Sequence, residues 1–242
     1  MTLDNISLPI GQCWEDFTDV LDAGMSRVLL YGPPGTGKTF AALHFGVLGA
    51  AERLVCTEDL TTGEITGTWM PAGEGKWEWR EGPAIRAWRE DDGQGGRLVV
   101  DEVDRASGDA LSTLLAVTDS PESARWRNPQ TGEWVGPGPS FSVIMTSNAE
   151  DIDDIPFALR DRFPVSIRID RPHPSSLELL SPELRGAALA GSLDAQRRIS
   201  LRSFYAFDQL RRHCGDERSA RLVFGASRWR DVLDALTIGE LR

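Results

Sequence analysis

Eight consecutive residues, Gly32-Pro33-Pro34-Gly35-Thr36-Gly37-Lys38-Thr39, fill every fixed position of the pattern Gly-x-x-x-x-Gly-Lys-Ser/Thr. The glycines let successive backbone N–H groups converge on one anion, and a following helix adds its positive end. Lys38 is spaced to reach the β- and γ-phosphates of a nucleotide, and the Thr39 hydroxyl to ligate Mg²⁺. A second constellation, Leu98-Val99-Val100-Asp101-Glu102, ends an apolar run in two acids. Phosphoryl transfer asks for charge neutralisation and a positioned water more than for covalent chemistry. Asp101 would hold Mg²⁺ through water, and Glu102 would orient and deprotonate the attacking water. Together the two motifs predict hydrolysis of a Mg²⁺-bound nucleoside triphosphate. Asp104 is a third acid of this group, or is solvated, or is paired with Arg105.

Such residues need a scaffold that brings distant segments together. Arg27 to Tyr31 is a short apolar run ending at Gly32 and reads as a buried strand, while residues 40–51 have helix-forming composition at helical spacing. Strand, loop and helix in that order is the setting a phosphate loop requires. Leu54 to Thr57, Arg97 to Val100, Phe141 to Thr146 and Val165 to Ile169 read as further strands, with helices over 83–90 and 110–117. This alternation predicts an α/β fold, a parallel five-stranded sheet with helices on both faces. Residues 61–82, carrying Trp69, Trp77 and Trp79, and residues 125–139, carrying Trp126 and Trp134, read as loops or hairpins. Beyond Arg171 only helical stretches follow, over 177–180, 182–190, 201–213, 219–224 and 228–236. A nucleotide-binding domain over 1–170 and a small all-α lid over 171–242 are therefore expected.

At 242 residues the chain is long enough for a full hydrophobic core. No run approaches the roughly 20 apolar residues of a membrane helix. The opening Met1-Thr2-Leu3-Asp4-Asn5 lacks the basic and apolar stretches of a signal peptide, so cytoplasmic residence is expected. A net charge of −11 argues against a surface that coats nucleic acid, though it leaves room for a local basic lining. Cys13, Cys56 and Cys214 form no Cys-x-x-Cys pair, which indicates neither zinc nor a disulfide framework. His44, His173 and His213 are isolated and read as structural or surface groups.

Four segments taken together carry a resemblance: the phosphate loop, Val99-Val100-Asp101-Glu102-Val103-Asp104-Arg105, Thr146-Ser147-Asn148, and Ala158-Leu159-Arg160-Asp161-Arg162-Phe163. In this series the chain resembles an AAA+ ATPase, and within that superfamily it is most similar to the MoxR/dynein-related branch, which includes the MoxR, CbbQ/NorQ and McrB-type motors. The resemblance is strongest over Val28 to Ile169 and looser in the lid. It implies ATP and Mg²⁺ as ligands and a ring-shaped homo-oligomer, most often a hexamer.

By the same resemblance, Asn148 is the sensor-1 residue that helps place the lytic water. Arg162 is the arginine finger that reaches a neighbouring subunit's site, with Arg160 as competitor. Arg202, in Ser200-Leu201-Arg202-Ser203, is the sensor-2 arginine of the lid, with Arg228 as alternative. Lys76, Trp77 and Trp79 fall where this branch places a loop facing the central pore. There they would grip a polypeptide, or pack on a neighbouring subunit or on their own domain; the same holds for Trp126 and Trp134. No recruiting domain accompanies the ATPase module, so a protein partner is expected to supply the target. The alternative is the motor of a nucleic-acid-processing, McrB-like assembly. The segment from Ile6 to Trp14, which could approach the base, does not distinguish adenine from guanine.

Overall fold

The computed structural model describes residues 10–47, 49–194 and 198–240. Its strands are β1 (Arg27–Tyr31), β2 (Ala51–Val55), β3 (Gly67–Gly73), β4 (Lys76–Glu81), β5 (Arg97–Asp101), β6 (Trp126–Arg127), β7 (Trp134–Val135), β8 (Ser142–Thr146) and β9 (Val165–Arg168). Its α-helices are α1 (Gln12–Asp22), α2 (Lys38–His44), α3 (Thr62–Thr66), α4 (Pro83–Gly93), α5 (Gly108–Val117) and α6 (Phe157–Arg162). They continue with α7 (Pro174–Glu178), α8 (Pro182–Leu193), α9 (Leu201–Cys214), α10 (Asp216–Phe224) and α11 (Trp229–Glu240). Two compact units result. One holds Asp16–Gly32 and Lys38–Arg168; the other holds Pro33–Gly37 with the described residues up to Glu15 and from Ile169 onward.

The first unit is built on a five-stranded sheet in the order β2-β5-β8-β1-β9, parallel at every pairing. Val28, Leu29 and Leu30 in β1 and Leu98, Val99 and Val100 in β5 are wholly buried, because helices cover both faces of the sheet. That is why these strands read as unbroken apolar runs rather than as alternation. Each such side chain contributes about 1.5–3 kcal/mol of burial free energy. The register pairs Val100 with Met145 and Leu30 with Thr146, so β5, β8 and β1 end side by side. Asp101, Thr146 and Gly32 therefore meet at the carboxyl edge, where open parallel sheets bind their ligands.

Several elements differ from the sequence expectation. The helix expected over 40–51 starts at Lys38 and ends at His44. Gly46 follows with φ +59°, a left-handed turn that stops a helix, and position 48 lies outside the described residues. Residues 61–82 contain a helix, α3, before their hairpin. Its start is fixed by a capping box in which Thr61 and Glu64 cap each other's backbone N–H groups. In the hairpin β3–β4, Trp69 stands opposite Trp79, and a second hairpin pairs β6 with β7. Residues 6–9 of the segment expected near the base lie outside the described residues.

Arg97, at the start of β5, is buried and has no carboxylate partner among its hydrogen bonds. Its guanidinium donates to the carbonyls of Ala42 (3.2 Å), Phe45 (2.5 Å) and Gly46 (2.7 Å). These are orphan carbonyls at the C-terminal end of α2, where the helix dipole favours a cation. Burial pushes the guanidinium down to about 10, which leaves it charged at neutral pH.

In the second unit, Leu177, Leu184, Phe204, Phe207 and Ala220 form the core of the helices from α7 to α11. Asp208 of α9 is almost buried and accepts from the Ser181 N–H (3.0 Å) and hydroxyl (2.8 Å), which fixes the start of α8. Arg211 donates to the same carboxylate at 3.0 Å. Trp14 of α1 donates its indole N–H to the Arg171 carbonyl at 3.0 Å. No helix among the described residues is long and apolar enough to cross a membrane.

Candidate nucleotide site

The phosphate loop joins β1 to α2. Gly32, Gly35 and Gly37 have φ of +121°, +79° and +101°, backbone conformations that residues with a Cβ rarely adopt. Gly35 also has no room for a side chain, since a Cβ there would stand 2.9 Å from the Ser200 Cβ, and Ser200 is the N-cap of α9. Thr36 is buried and donates its hydroxyl to the Pro33 carbonyl at 3.2 Å, holding the loop's curl. Arg202, two residues past Ser200, lies in the first turn of α9 with its side chain exposed.

Within the sheet unit, Lys38, Thr39, Asp101 and Asn148 come together. The Lys38 ammonium donates to the Gly32 carbonyl (2.8 Å) and to the Asn148 side-chain oxygen (3.3 Å). Thr39 donates its hydroxyl to Asp101 Oδ1 at 2.7 Å. Thr146, at the end of β8, donates to the same oxygen, while Arg53 of β2 donates to Asp101 Oδ2 at 2.5 Å. Burial alone would raise the Asp101 carboxyl. The Thr146 hydroxyl, the Arg53 guanidinium and the Thr39 hydroxyl outweigh it and hold the group below the usual aspartate range.

Glu102 has φ +56° and ψ +45°, the left-handed region that costs a non-glycine residue roughly 1–2 kcal/mol. Its surroundings fix it there. The backbone N–H of Glu102 donates to Thr146 Oγ1 at 3.3 Å, and its carbonyl accepts from the Arg105 N–H at 3.0 Å. The carboxylate pairs with Arg105 Nε at 3.0 Å. The pairing of Asp104 with Arg105 weighed from sequence is thus not the one formed. Arg105 takes Glu102 because the left-handed step opens a 3₁₀ turn over Val103–Arg105 that brings i and i+3 together. Asp104 instead accepts the Asn148 N–H at 3.2 Å, tying the strand-end acids to the β8 end.

Arg160 and Arg162 lie in α6. Arg160 is held by Asp153 at 2.7 Å and lies 5.9 Å from the Phe157 ring centre. Arg162 donates to the Ala158 carbonyl of its own helix at 3.3 Å. Neither is hydrogen-bonded to the Lys38–Asp101 group. Of the hairpin tryptophans, Trp79 stacks on Trp126 (5.6 Å, 30°) and meets Trp69 edge-on (5.6 Å). Trp77 and Trp134 point outward, 62% and 69% exposed.

Thr146, Arg53 and the Asp104 bond to Asn148 are the site contacts that sequence reasoning did not supply. A hydroxyl as the last residue of an apolar strand is the available signal for Thr146. For Arg53 the sequence carries none, since only the β2–β5 pairing brings it to Asp101.

Residues 27–163, from the start of β1 to just past α6, match the AAA domain family of the dynein-related subfamily. That span covers more than half of the 242 residues and includes both motifs. The chain belongs to this AAA family. Membership makes it an ATP-binding ATPase domain. The chain is also similar to two solved structures. One is NtrX of Brucella abortus in complex with ADP, 16% identical, TM-score 0.52, covering 91% of this chain and 51% of that one. The other is a candidate ATPase of Cytophaga hutchinsonii, 22% identical, TM-score 0.45, covering 67% of this chain and 47% of that one. The AAA chain thus spans about half the length of each. No curated protein sequence matches it.

The donor set around Asp101 suits a Mg²⁺-bound triphosphate. Thr39 and Asp101 offer only hard oxygen ligands, which Mg²⁺ prefers, and Lys38 with the turned loop backbone suits the phosphates.

Proposed function

We propose that this AAA domain is a Mg²⁺-dependent ATP hydrolase of the MoxR type, which assembles into a ring and remodels or activates a partner protein. The observation that carries this reading is the joint fixing of Thr39, Asp101, Glu102 and Asn148 around Thr146 and Lys38. In it, Gly32, Pro33, Pro34, Gly35, Thr36 and Gly37 cradle the phosphates, Lys38 bridges the outer two, and Thr39 with Asp101 holds Mg²⁺. The metal, when bound, neutralises charge on the phosphate oxygens. Glu102 takes the proton of the attacking water, and Asn148 orients that water.

Arg162 is the finger supplied to the next subunit. Asp153 and Phe157 occupy Arg160, which supports the choice. Arg202 is preferred to Arg228 as the lid arginine because its helix begins where Gly35 packs on Ser200. The nucleotide-binding domain then runs over residues 1–170, with the helices of 171–242 as its lid.

The test is turnover as a function of protein concentration, with assembly followed by light scattering. ATP hydrolysis per chain should rise as rings form. Turnover that stays constant while the protein is monomeric would remove the ring and the finger together. Stimulation by DNA would instead favour the McrB-like motor.

A further inference from the structure

Asp101 has its two oxygens differently engaged. Oδ1 accepts both hydroxyls, from Thr39 and Thr146, whereas Oδ2 accepts only the Arg53 guanidinium at 2.5 Å. A carboxylate has about four lone-pair positions, so Oδ1 is filled and a further cation has to use Oδ2. Arg53 reaches that oxygen from β2, at the position paired with Val99, two residues short of the one paired with Asp101. Its side chain is about half exposed (48%), while that of Asp101 is 7% exposed. The guanidinium can therefore leave into water, whereas the carboxylate cannot.

We propose that Arg53 is a positioning residue that acts as an exchangeable counter-ion: it neutralises Asp101 from the Oδ2 side and so competes with Mg²⁺ for that carboxylate, which raises the Mg²⁺ concentration at which the site loads. The inference rests on the reading of Thr39 and Asp101 as the Mg²⁺ site. Two cations cannot share one carboxylate oxygen without mutual repulsion, and a competitor that fills the site lowers apparent affinity in proportion to its occupancy. Arg53 thus supplies a threshold as well as a structural bond.

The test uses the full chain with saturating ADP, so that no turnover intervenes, and follows melting temperature as MgCl₂ is added. In Arg53→Ala the half-saturating Mg²⁺ concentration should fall by roughly threefold to tenfold relative to the unsubstituted protein, an effect kept modest by solvent screening of a half-exposed pair. Arg53→Lys keeps the charge and should stay near the original value. A half-saturation that is unchanged or raised in Arg53→Ala, or that falls equally in Arg53→Lys, overturns the proposal while leaving the Mg²⁺ site standing. Absence of any Mg²⁺ response in the unsubstituted protein overturns the site reading, and the counter-ion role with it.

Discussion

Thr39 and Asp101, 62 positions apart in the chain, share a hydrogen bond of 2.7 Å that joins the first turn of α2 to the last residue of β5. Arg97, the first residue of that same strand, holds the opposite end of α2 through the carbonyls of Ala42, Phe45 and Gly46. The helix that carries Lys38 is therefore clamped at both ends by one strand. That arrangement fixes Lys38 and Thr39 relative to Asp101 and Glu102.

Arg97→Met tests the far clamp. The substitution keeps the buried stem but leaves carbonyls at the α2 end without a donor, which costs about 1–3 kcal/mol. Urea unfolding should show the loss, and nucleotide affinity of the folded variant should fall because α2 is no longer fixed. Unchanged stability would mean that water replaces the guanidinium there.

Arg105→Ala tests how Glu102 is aimed. Without the 3.0 Å ion pair the carboxylate keeps its backbone position but loses its orientation. ATP turnover should fall about tenfold to a hundredfold, the scale on which misplacement of a catalytic group acts. ATP affinity, measured by titration calorimetry, should stay within a factor of two or so of the original, because no phosphate contact is assigned to Arg105.

Asp208 provides a pH-dependent contribution in the helical unit. Burial would raise its carboxyl, but the Ser181 N–H and hydroxyl and the Arg211 guanidinium hold it below the usual aspartate range. A depressed folded pKa means stability that is present above the unfolded value near 3.9 and is lost as pH falls through the folded one. Asp208→Asn should therefore cost roughly 1–3 kcal/mol at pH 7 and much less near pH 3. Equal losses at both pH values, by urea unfolding, would contradict this.

Arg162→Ala should abolish the cooperative part of ATP turnover in the assembled protein, with a drop of about a thousandfold or more. Arg160→Ala should chiefly loosen the Asp153 contact and leave turnover within about an order of magnitude, the spread expected when a positioning contact rather than a transition-state contact is lost. The reverse ranking in a steady-state assay would make Arg160 the finger.

What the sequence discloses follows from how local each feature is. The loop from Gly32 to Thr39 and the run from Leu98 to Glu102 are contiguous, so spacing alone carries their chemistry. β1, β5 and β8 are also legible, because burial on both faces turns them into apolar runs. β2, expected over Leu54 to Thr57, lies at Ala51–Val55, where only Leu54 is buried and no apolar run marks the strand. Short helices are less legible. Only six residues of α6 and five of α3 are helical, too few for periodicity, and α3 depends on the Thr61–Glu64 cap. The early end of α2 depends on Gly46 and on Arg97, which arrives from another strand. The Arg53–Asp101 and Asp104–Asn148 contacts likewise exist only once β2, β5 and β8 are neighbours. Nothing in a linear pattern distinguishes Arg105 paired with Asp104 from Arg105 paired with Glu102. The left-handed backbone at Glu102 decides it.

In the proposed function Glu102 performs the hydrolytic step, and the nucleotide contacts lie on other residues. Side-by-side measurement of ATP binding and ATP hydrolysis in Glu102→Gln tests it most directly. Affinity for Mg²⁺·ATP should be retained, while the hydrolysis rate should drop by about two to four orders of magnitude, the usual contribution of a positioned general base. Hydrolysis near the original rate in Glu102→Gln would contradict the account.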